Sequence, residues 1–185
     1  MKKIIHILSV LTLVSLLSGA CLVGVYKATA QKIVDNQKKA TKDAIFKIFP
    51  EGKDSKQIDK KDLEIFSVTD AKQELLGYAF TCAGNGYQGE IKIMAGIEKD
   101  LNTLVGIEIL ESQETPGLGQ EITNQPFKDE FKQLKTEPNI IYVKGEKPDQ
   151  PNEIETITGA TISSKAVVAI LNKGIEKVRQ EMGEK

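Results

Sequence analysis

Tryptophan is absent from this chain, histidine occurs once and cysteine twice. Each shortage closes off a chemistry. The single histidine, His6, lies at the edge of an apolar N-terminal run, so no histidine-based triad or histidine-held metal centre can form in the remainder of the chain. Cys21 and Cys82 stand far apart, with no C-x-x-C pair and no histidine beside them, which argues against a structural zinc and an iron–sulfur cluster. Neither sign of charge is in excess: Lys and Arg number 25 against 26 for Asp and Glu, a formal net charge of −1. Nucleic acid is therefore a poor partner. No G-x-G-x-x-G is read as following a strand, the setting that a dinucleotide-binding turn requires. Redox chemistry, if the chain performs any, has to come from an organic cofactor.

From Ile4 to Tyr26 there is no Lys, Arg, Asp or Glu, and about 20 apolar residues suffice for a helix to cross the hydrocarbon core of a bilayer. Three readings compete: a retained membrane span, a cleaved secretory signal, or a lipoprotein signal cut before Cys21. The run continues past Cys21 through Leu-Val-Gly-Val-Tyr, and Ser18 stands where lipoprotein signals carry a branched apolar residue. Both features favour a retained single-pass anchor in the cell membrane. Lys2 and Lys3 precede the run, whereas Lys27, Lys32, Lys38, Lys39 and Lys42 follow it, so charge counting alone does not orient the chain. The very short basic tail resembles an export signal and places the following domain on the extracytoplasmic side.

At 185 residues the chain has room for this anchor and one compact domain. The expected division is 1–27 as anchor, 28–62 as membrane-proximal helix and linker, and 63–185 as the folded domain. Ala28 to Phe49 lacks Gly and Pro and sets Ile33, Ala40, Ala44, Ile45 and Ile48 at roughly helical spacing, before Pro50 and Gly52 end it. The polar stretch from Glu51 to Asp62 reads as loop. Strands are expected at Leu63–Thr69, Leu75–Cys82, Glu90–Ile97 and Thr103–Leu110, forming an antiparallel meander. In the third, Ile91, Ile93 and Ala95 alternate with Lys92 and Met94, as one buried face requires. A short helix at Asn124–Leu134, a strand at Asn139–Val143, a turn-rich loop at Glu146–Asn152 and a final helix at Ser163–Met182 complete an α+β domain with a mainly antiparallel sheet and flanking helices.

One segment is chemically suggestive. Glu155-Thr-Ile-Thr-Gly-Ala-Thr161-Ile-Ser-Ser164 is small and hydroxyl-rich and stands just before the last helix, where free N–H groups and the helix dipole favour a phosphate. A plain alternative is that Thr158, Thr161 or Ser163 simply caps that helix. A second segment, Glu111-Ser-Gln-Glu114-Thr115-Pro116-Gly117-Leu118-Gly119, contains a Pro-Gly turn, and Gly86-Tyr-Gln-Gly89 marks a hairpin.

Taken together these segments resemble the extracytoplasmic covalent FMN-binding domain family. Its flavinylation motif, Asp-x-x-(Ser/Thr)-Gly-Ala-Thr, is matched by Glu155, Thr158, Gly159, Ala160 and Thr161, with Glu in place of Asp; Glu114-Thr-Pro-Gly-Leu-Gly119 matches the segment the family sets beside the flavin ring. At this length the chain is most similar to the G subunits of Rnf electron-transport complexes; the C subunits of sodium-pumping NADH:quinone reductases share the motifs in a longer chain. The resemblance implies FMN bound covalently through its phosphate to Thr161, with Glu114, Thr115, Gly117, Leu118, Gly119, Thr158, Gly159, Ala160, Ile162 and Ser163 around it. It implies electron transfer between ferredoxin and NAD coupled to sodium or proton export, by a complex in which this chain has no complete active site of its own, neither catalytic residue nor metal. Its partners would be the membrane and peripheral subunits of that complex, a separate flavin transferase for maturation, and the lipid bilayer. A different class stays open: an anchored, non-enzymatic binding module whose Thr-Gly-Ala-Thr only starts a helix. A flavinylated subunit of another extracytoplasmic reductase is the third reading.

Overall fold

The computed structural model describes residues 1–58 and 63–183. The chain divides into two units, Met1–Ala40 and Thr41–Lys185. The first lies within helix α1, Lys2–Ile48, whose most apolar stretch has a mean hydropathy of 2.2 and no buried residue. It is long and apolar enough to cross a membrane, since a rise of about 1.5 Å per residue takes some 20 residues through about 30 Å. Two hydroxyls inside the apolar run are taken up by the helix itself: Ser9 Oγ donates to the His6 carbonyl and Thr12 Oγ1 to that of Leu8, both at 2.8 Å.

The apolar spacing expected along Ala28–Phe49 is used only at its end. Ile33 is 48 % exposed, whereas Ala44, Ile45 and Ile48 are buried, followed by Phe49. These side chains belong to the second unit, where they cover one face of a six-stranded antiparallel sheet. The strands are β1 (Asp54–Ile58), β2 (Ile65–Thr69), β3 (Leu75–Asn85), β4 (Glu90–Glu98), β5 (Thr103–Ser112) and β6 (Leu134–Lys135), each paired to the next in chain order. The meander is as the spacing predicts. Strand β1 corrects the loop reading of Glu51–Asp62: Asp54 to Ile58 pair with Thr69 to Ile65. Its composition misleads because a mostly exposed edge strand needs no apolar alternation; the backbone ladder holds it, and Ile58 packs against the core. Residues 59–62 of that stretch lie outside the described residues.

A second correction concerns β4, where the sequence suggests one buried face. From Ile93 to Ile97 every residue is buried. Ile91, Ile93, Ala95 and Ile97 join the larger core under α3 (Thr161–Met182), while Met94 joins Val68, Ala79 and the end of α1 on the opposite face. Gly84 to Gly89 has the spacing G-x-G-x-x-G, yet it joins β3 to β4 as a hairpin closed by the Gly86 N–H on the Gly89 carbonyl at 2.7 Å. No helix follows it, so the dinucleotide-binding setting is missing.

After β5 the expected helix at Asn124–Leu134 shrinks to α2 (Gln125–Asp129), preceded by a 3-10 turn at Gly119–Thr123. Strand β7 (Ile141–Val143) pairs in parallel with β8 (Glu153–Glu155), and the hydroxyl-rich sequence beside β8 conceals that second strand. Helix α3 begins two residues earlier than expected and buries Val167, Val168, Leu171, Ile175 and Val178. Its far end is clamped by Arg179, which donates to the Leu101 carbonyl at 3.0 and 3.1 Å, to Asn102 Oδ1 and to Thr136 Oγ1.

The α1 end seats on the sheet where Gly96 leaves room. A Cβ there would stand 2.7 Å from Phe49 Cε2 and against Ile48 Cγ2. Gly96→Ala is therefore expected to destabilise the domain by about 1–3 kcal/mol through overpacking. Thermal unfolding of the full chain in detergent, read by near-ultraviolet circular dichroism, checks this; an unchanged midpoint would mean the helix end is not seated there.

Candidate functional site

Three segments distant in sequence meet at one buried carboxylate. Glu114 is 5 % exposed. Its Oε1 accepts the backbone N–H groups of Tyr87 at 2.7 Å and Gln88 at 3.0 Å, and its Oε2 accepts the Ser163 hydroxyl at 2.6 Å. The β3–β4 hairpin, the turn after β5 and the first turn of α3 are thereby tied together. The glycines of both turn motifs have a reason in this contact: a Cβ on Gly86 or on Gly119 would run into the Glu114 carboxylate. Burial raises the carboxyl pKa, but the Ser163 hydroxyl and the amides of Gln88, Tyr87 and Gly89 together outweigh it, holding the group below its ordinary 4.5.

The Thr158–Thr161 loop is fastened from the other side. Ser164 Oγ accepts the Ile157 N–H at 3.1 Å and donates to the Ala160 carbonyl at 3.0 Å, and the Ala160 N–H reaches the Ile157 carbonyl at 3.0 Å. Gly159 turns the chain at φ +86°, a conformation glycine adopts without strain. Ala160 occupies the N-cap of α3, and no side chain caps the helix. The capping alternative raised by the sequence is thus answered: neither Thr158 nor Thr161 caps, and the Ser163 hydroxyl goes to Glu114. An N-cap alanine in place of Ser, Thr, Asp or Asn costs about 1 kcal/mol, and it leaves the amide end of a 22-residue helix open.

That open end lies in a cleft of about 520 Å³ lined by Tyr87, Glu114, Thr115, Leu118, Gly119, Lys144 and Thr158 to Ser163. Volume does not single it out, because clefts of about 580 and 560 Å³ occur elsewhere on the domain. The groups do. Tyr87, Leu118 and Ile162 expose 68 %, 53 % and 58 % of their surface beside the half-buried Thr161 hydroxyl, and Lys144 supplies a cation at the same cleft. Apolar faces, one cation, free helix amides and one hydroxyl suit a flat aromatic ligand bearing a phosphate. The residues present fit FMN on those grounds.

Of the residues named from sequence, the cleft gathers Glu114, Thr115, Leu118, Gly119 and the whole of Thr158 to Ser163. Gly117, at φ +72°, shapes the turn without lining the cleft, and Glu155 lines a different one. Lys165, in the second turn of α3, does not line the cleft; its Nζ stands 4.8 Å from the Tyr142 ring centroid. Tyr87 and Lys144 are the additions. The Gly-Tyr-Gln-Gly hairpin hinted at the first; nothing in the Lys-rich stretch around Lys144 distinguishes it in sequence.

Fold and site point to a flavin-binding class, and residues 86–176 match the family described as FMN-binding domain. The relatives narrow the class to ion-translocating redox complexes. The chain is 27 % identical to the G subunit of the ion-translocating oxidoreductase complex of Methanosarcina acetivorans, over 98 % of each chain. It is 36 % identical to the G subunit of the Na(+)-translocating ferredoxin:NAD(+) oxidoreductase complex of Acetobacterium woodii, over 62 % of this chain and 54 % of that one. In fold it is similar to the crystal structure of Shewanella oneidensis NqrC, with a TM-score of 0.60 at 21 % identity over 73 % of each chain.

A carboxyl held below its ordinary pKa binds fewer protons folded than unfolded, so its stabilisation is present above pH 4.5 and is lost as pH falls through the folded value. Glu114→Gln is expected to cost about 1–3 kcal/mol at pH 7, the range for hydrogen bonds to a charged group, and the gap to wild type should close on acidification below pH 4.5. Chemical denaturation at a series of pH values reads this directly. A gap that stays constant to pH 3 would show the carboxylate charge to be unimportant.

Proposed function

We propose that this chain is the flavin-carrying electron-transfer subunit of a membrane-bound, ion-translocating complex of the Rnf type, with FMN esterified through its phosphate to Thr161. The observation that carries the reading is the position of Thr161 on the uncapped first turn of α3, inside the cleft shared with the Glu114–Gly119 turn. The named relatives, subunits of ion-translocating oxidoreductases, support the host complex.

In this reading the first-turn amides of α3 and Lys144 neutralise the phosphate, and Gly159 keeps the loop low enough for it to reach the Thr161 Oγ1. Leu118, Ile162 and Tyr87 pack against the ring, while Glu114 holds the two sides of the cleft in register. Bound FMN supplies both one- and two-electron chemistry. Thr161 is an attachment point and takes no part in turnover. Residues 4–26 of α1 offer no carboxylate from which to build an ion path, so ion movement is assigned to the other membrane subunits. The anchor is residues 1–27, the folded domain lies on the extracytoplasmic side, and a separate flavin transferase makes the ester after export. The domain relays electrons between partners of ferredoxin and NAD chemistry and has no complete active site of its own.

The test is the intact mass of the exported protein expressed beside a flavin transferase. Wild type should gain one esterified FMN and Thr161→Ala none, while Lys144→Gln should load more slowly. A wild-type chain that gains no flavin under these conditions would leave the anchored binding module as the reading.

A further inference from the structure

Strand β7 is held to β8 by a short ladder: Ile141 stands beside Glu153, Tyr142 beside Ile154 and Val143 beside Glu155. Register in so short a pairing is weakly specified. Yet register decides what enters the cleft of Thr161, because Lys144, which lines that cleft, follows directly on β7. A slip of one residue would turn Lys144 to the other face. A slip of two would put Tyr142 or Glu146 in its place, the latter reversing the charge.

Two contacts with α3 oppose such a slip. Ile141 donates its N–H to the Asn152 carbonyl and Val143 accepts the Thr156 N–H, both at 2.9 Å, so the polar groups of Ile140 and Tyr142 point to the opposite edge. At Ile140, which is 2 % exposed, the Asn172 side-chain amide serves that edge. Its Oδ1 accepts the Ile140 N–H and its Nδ2 donates to the Ile140 carbonyl, both at 2.9 Å, as a further strand would. Closer to the cleft, the Lys165 Nζ stands 4.8 Å from the centroid of the Tyr142 ring. The lengths agree with a strand that runs back along the helix. Ile140 to Lys144 spans at most about 13 Å of extended chain, and Asn172 to Thr161 about 16 Å of helix. Tied at Asn172, the chain arrives at the start of α3 with Lys144.

We infer that Asn172, assisted by the Lys165–Tyr142 contact, is a positioning residue that fixes the register of β7 and thereby makes Lys144 the cation of the Thr161 cleft, so that the cleft selects a phosphorylated flavin over the same ring without phosphate. The inference rests on the FMN reading above and extends it to residues outside the cleft. Neither Asn172 nor Tyr142 lines the cleft, so each acts through Lys144. The first-turn amides of α3 attract a phosphate whatever β7 does, so loss of Lys144 lowers the selectivity without abolishing it.

The experiment uses the full chain in detergent, made without a flavin transferase so that Thr161 carries no ester. Equilibrium dialysis against low concentrations of FMN or of riboflavin gives the ratio of the two affinities. Wild type should prefer FMN by about tenfold and Lys144→Gln by about twofold. Asn172→Ala should fall to the Lys144→Gln ratio and Tyr142→Leu to about fourfold, both with riboflavin binding unchanged, while Tyr142→Phe, which keeps the ring, stays with wild type. The double variant Asn172→Ala, Lys144→Gln should be no less selective than Lys144→Gln alone, since both changes remove one interaction. A merely structural Asn172 would weaken both flavins alike and leave the ratio in place. That result overturns the inference, as does a wild-type ratio in Lys144→Gln or in Tyr142→Leu. Should Asn172→Ala fail to fold, Tyr142→Leu decides alone. A wild-type chain that does not bind free FMN, yet gains one esterified FMN beside a transferase, overturns the inference and leaves the FMN reading standing; one that does neither overturns both.

Discussion

The Glu114 carboxylate is the contact on which the site depends. A buried charge is tolerated only when its lone pairs are occupied, and this one is occupied by two backbone amides of the Tyr87–Gln88 hairpin and by the Ser163 hydroxyl. Those partners come from opposite sides of the cleft. An apolar residue at 114 would fill the space as well, but it would fix neither the hairpin nor the helix start at a particular register. Gly86 and Gly119 give the cost of the arrangement in backbone terms, since the approach is too close for a Cβ at either position.

A consequence reaches α3, the helix on which the flavin attachment is proposed. Because Ser163 is committed to Glu114, and Ser164 to the Ile157 amide and Ala160 carbonyl, the two serine hydroxyls of the first turn of α3 are unavailable as caps. The open N-terminus is tolerated because the rest of the helix is secured elsewhere: six aliphatic side chains enter the main core, and Arg179 grips the Leu101 carbonyl, Asn102 and Thr136. A helix anchored along its length and at its far end can leave its near end unsatisfied. Local departures from good capping practice of this kind are expected where a ligand completes the structure.

Periodicity made the antiparallel strands and the last helix readable, because their side chains alternate or recur against one core. It failed where burial is two-sided or where there is none. Met94 reads as solvent-facing next to Lys92, yet the end of α1 covers that face; Asp54–Ile58 reads as loop because an edge strand needs no apolar pattern. For the site, the motif positions were legible and their division of labour was not. Glu114 and Gly119 read as flavin contacts but also build the cleft by meeting each other, Glu155 turns to another cleft, and Lys144 enters from a stretch with no signal of its own. Chain order cannot disclose which of several lysines a parallel β7–β8 pairing will bring beside Thr161.

Magnitudes explain why such a cleft would go with the proposed ester. Leu118 and Ile162 are about half exposed, so a ligand that covers them recovers a fraction of the roughly 1.5–3 kcal/mol that full burial of such a side chain is worth. Against this stand about 4–15 kcal/mol of lost translational and rotational freedom on association. A shallow, partly apolar cleft of this kind holds a free cofactor weakly. Deepening it would strengthen retention but wall the ring off from the redox partners it has to meet. The covalent link proposed at Thr161 would separate the two demands: the ester would prevent loss, and the cleft walls would need only to orient the ring. Attachment through the phosphate, as proposed, would also leave the ring chemically untouched, so its potential would be set by what lines the cleft around it, chiefly Leu118, Ile162, Tyr87 and the charge on Lys144.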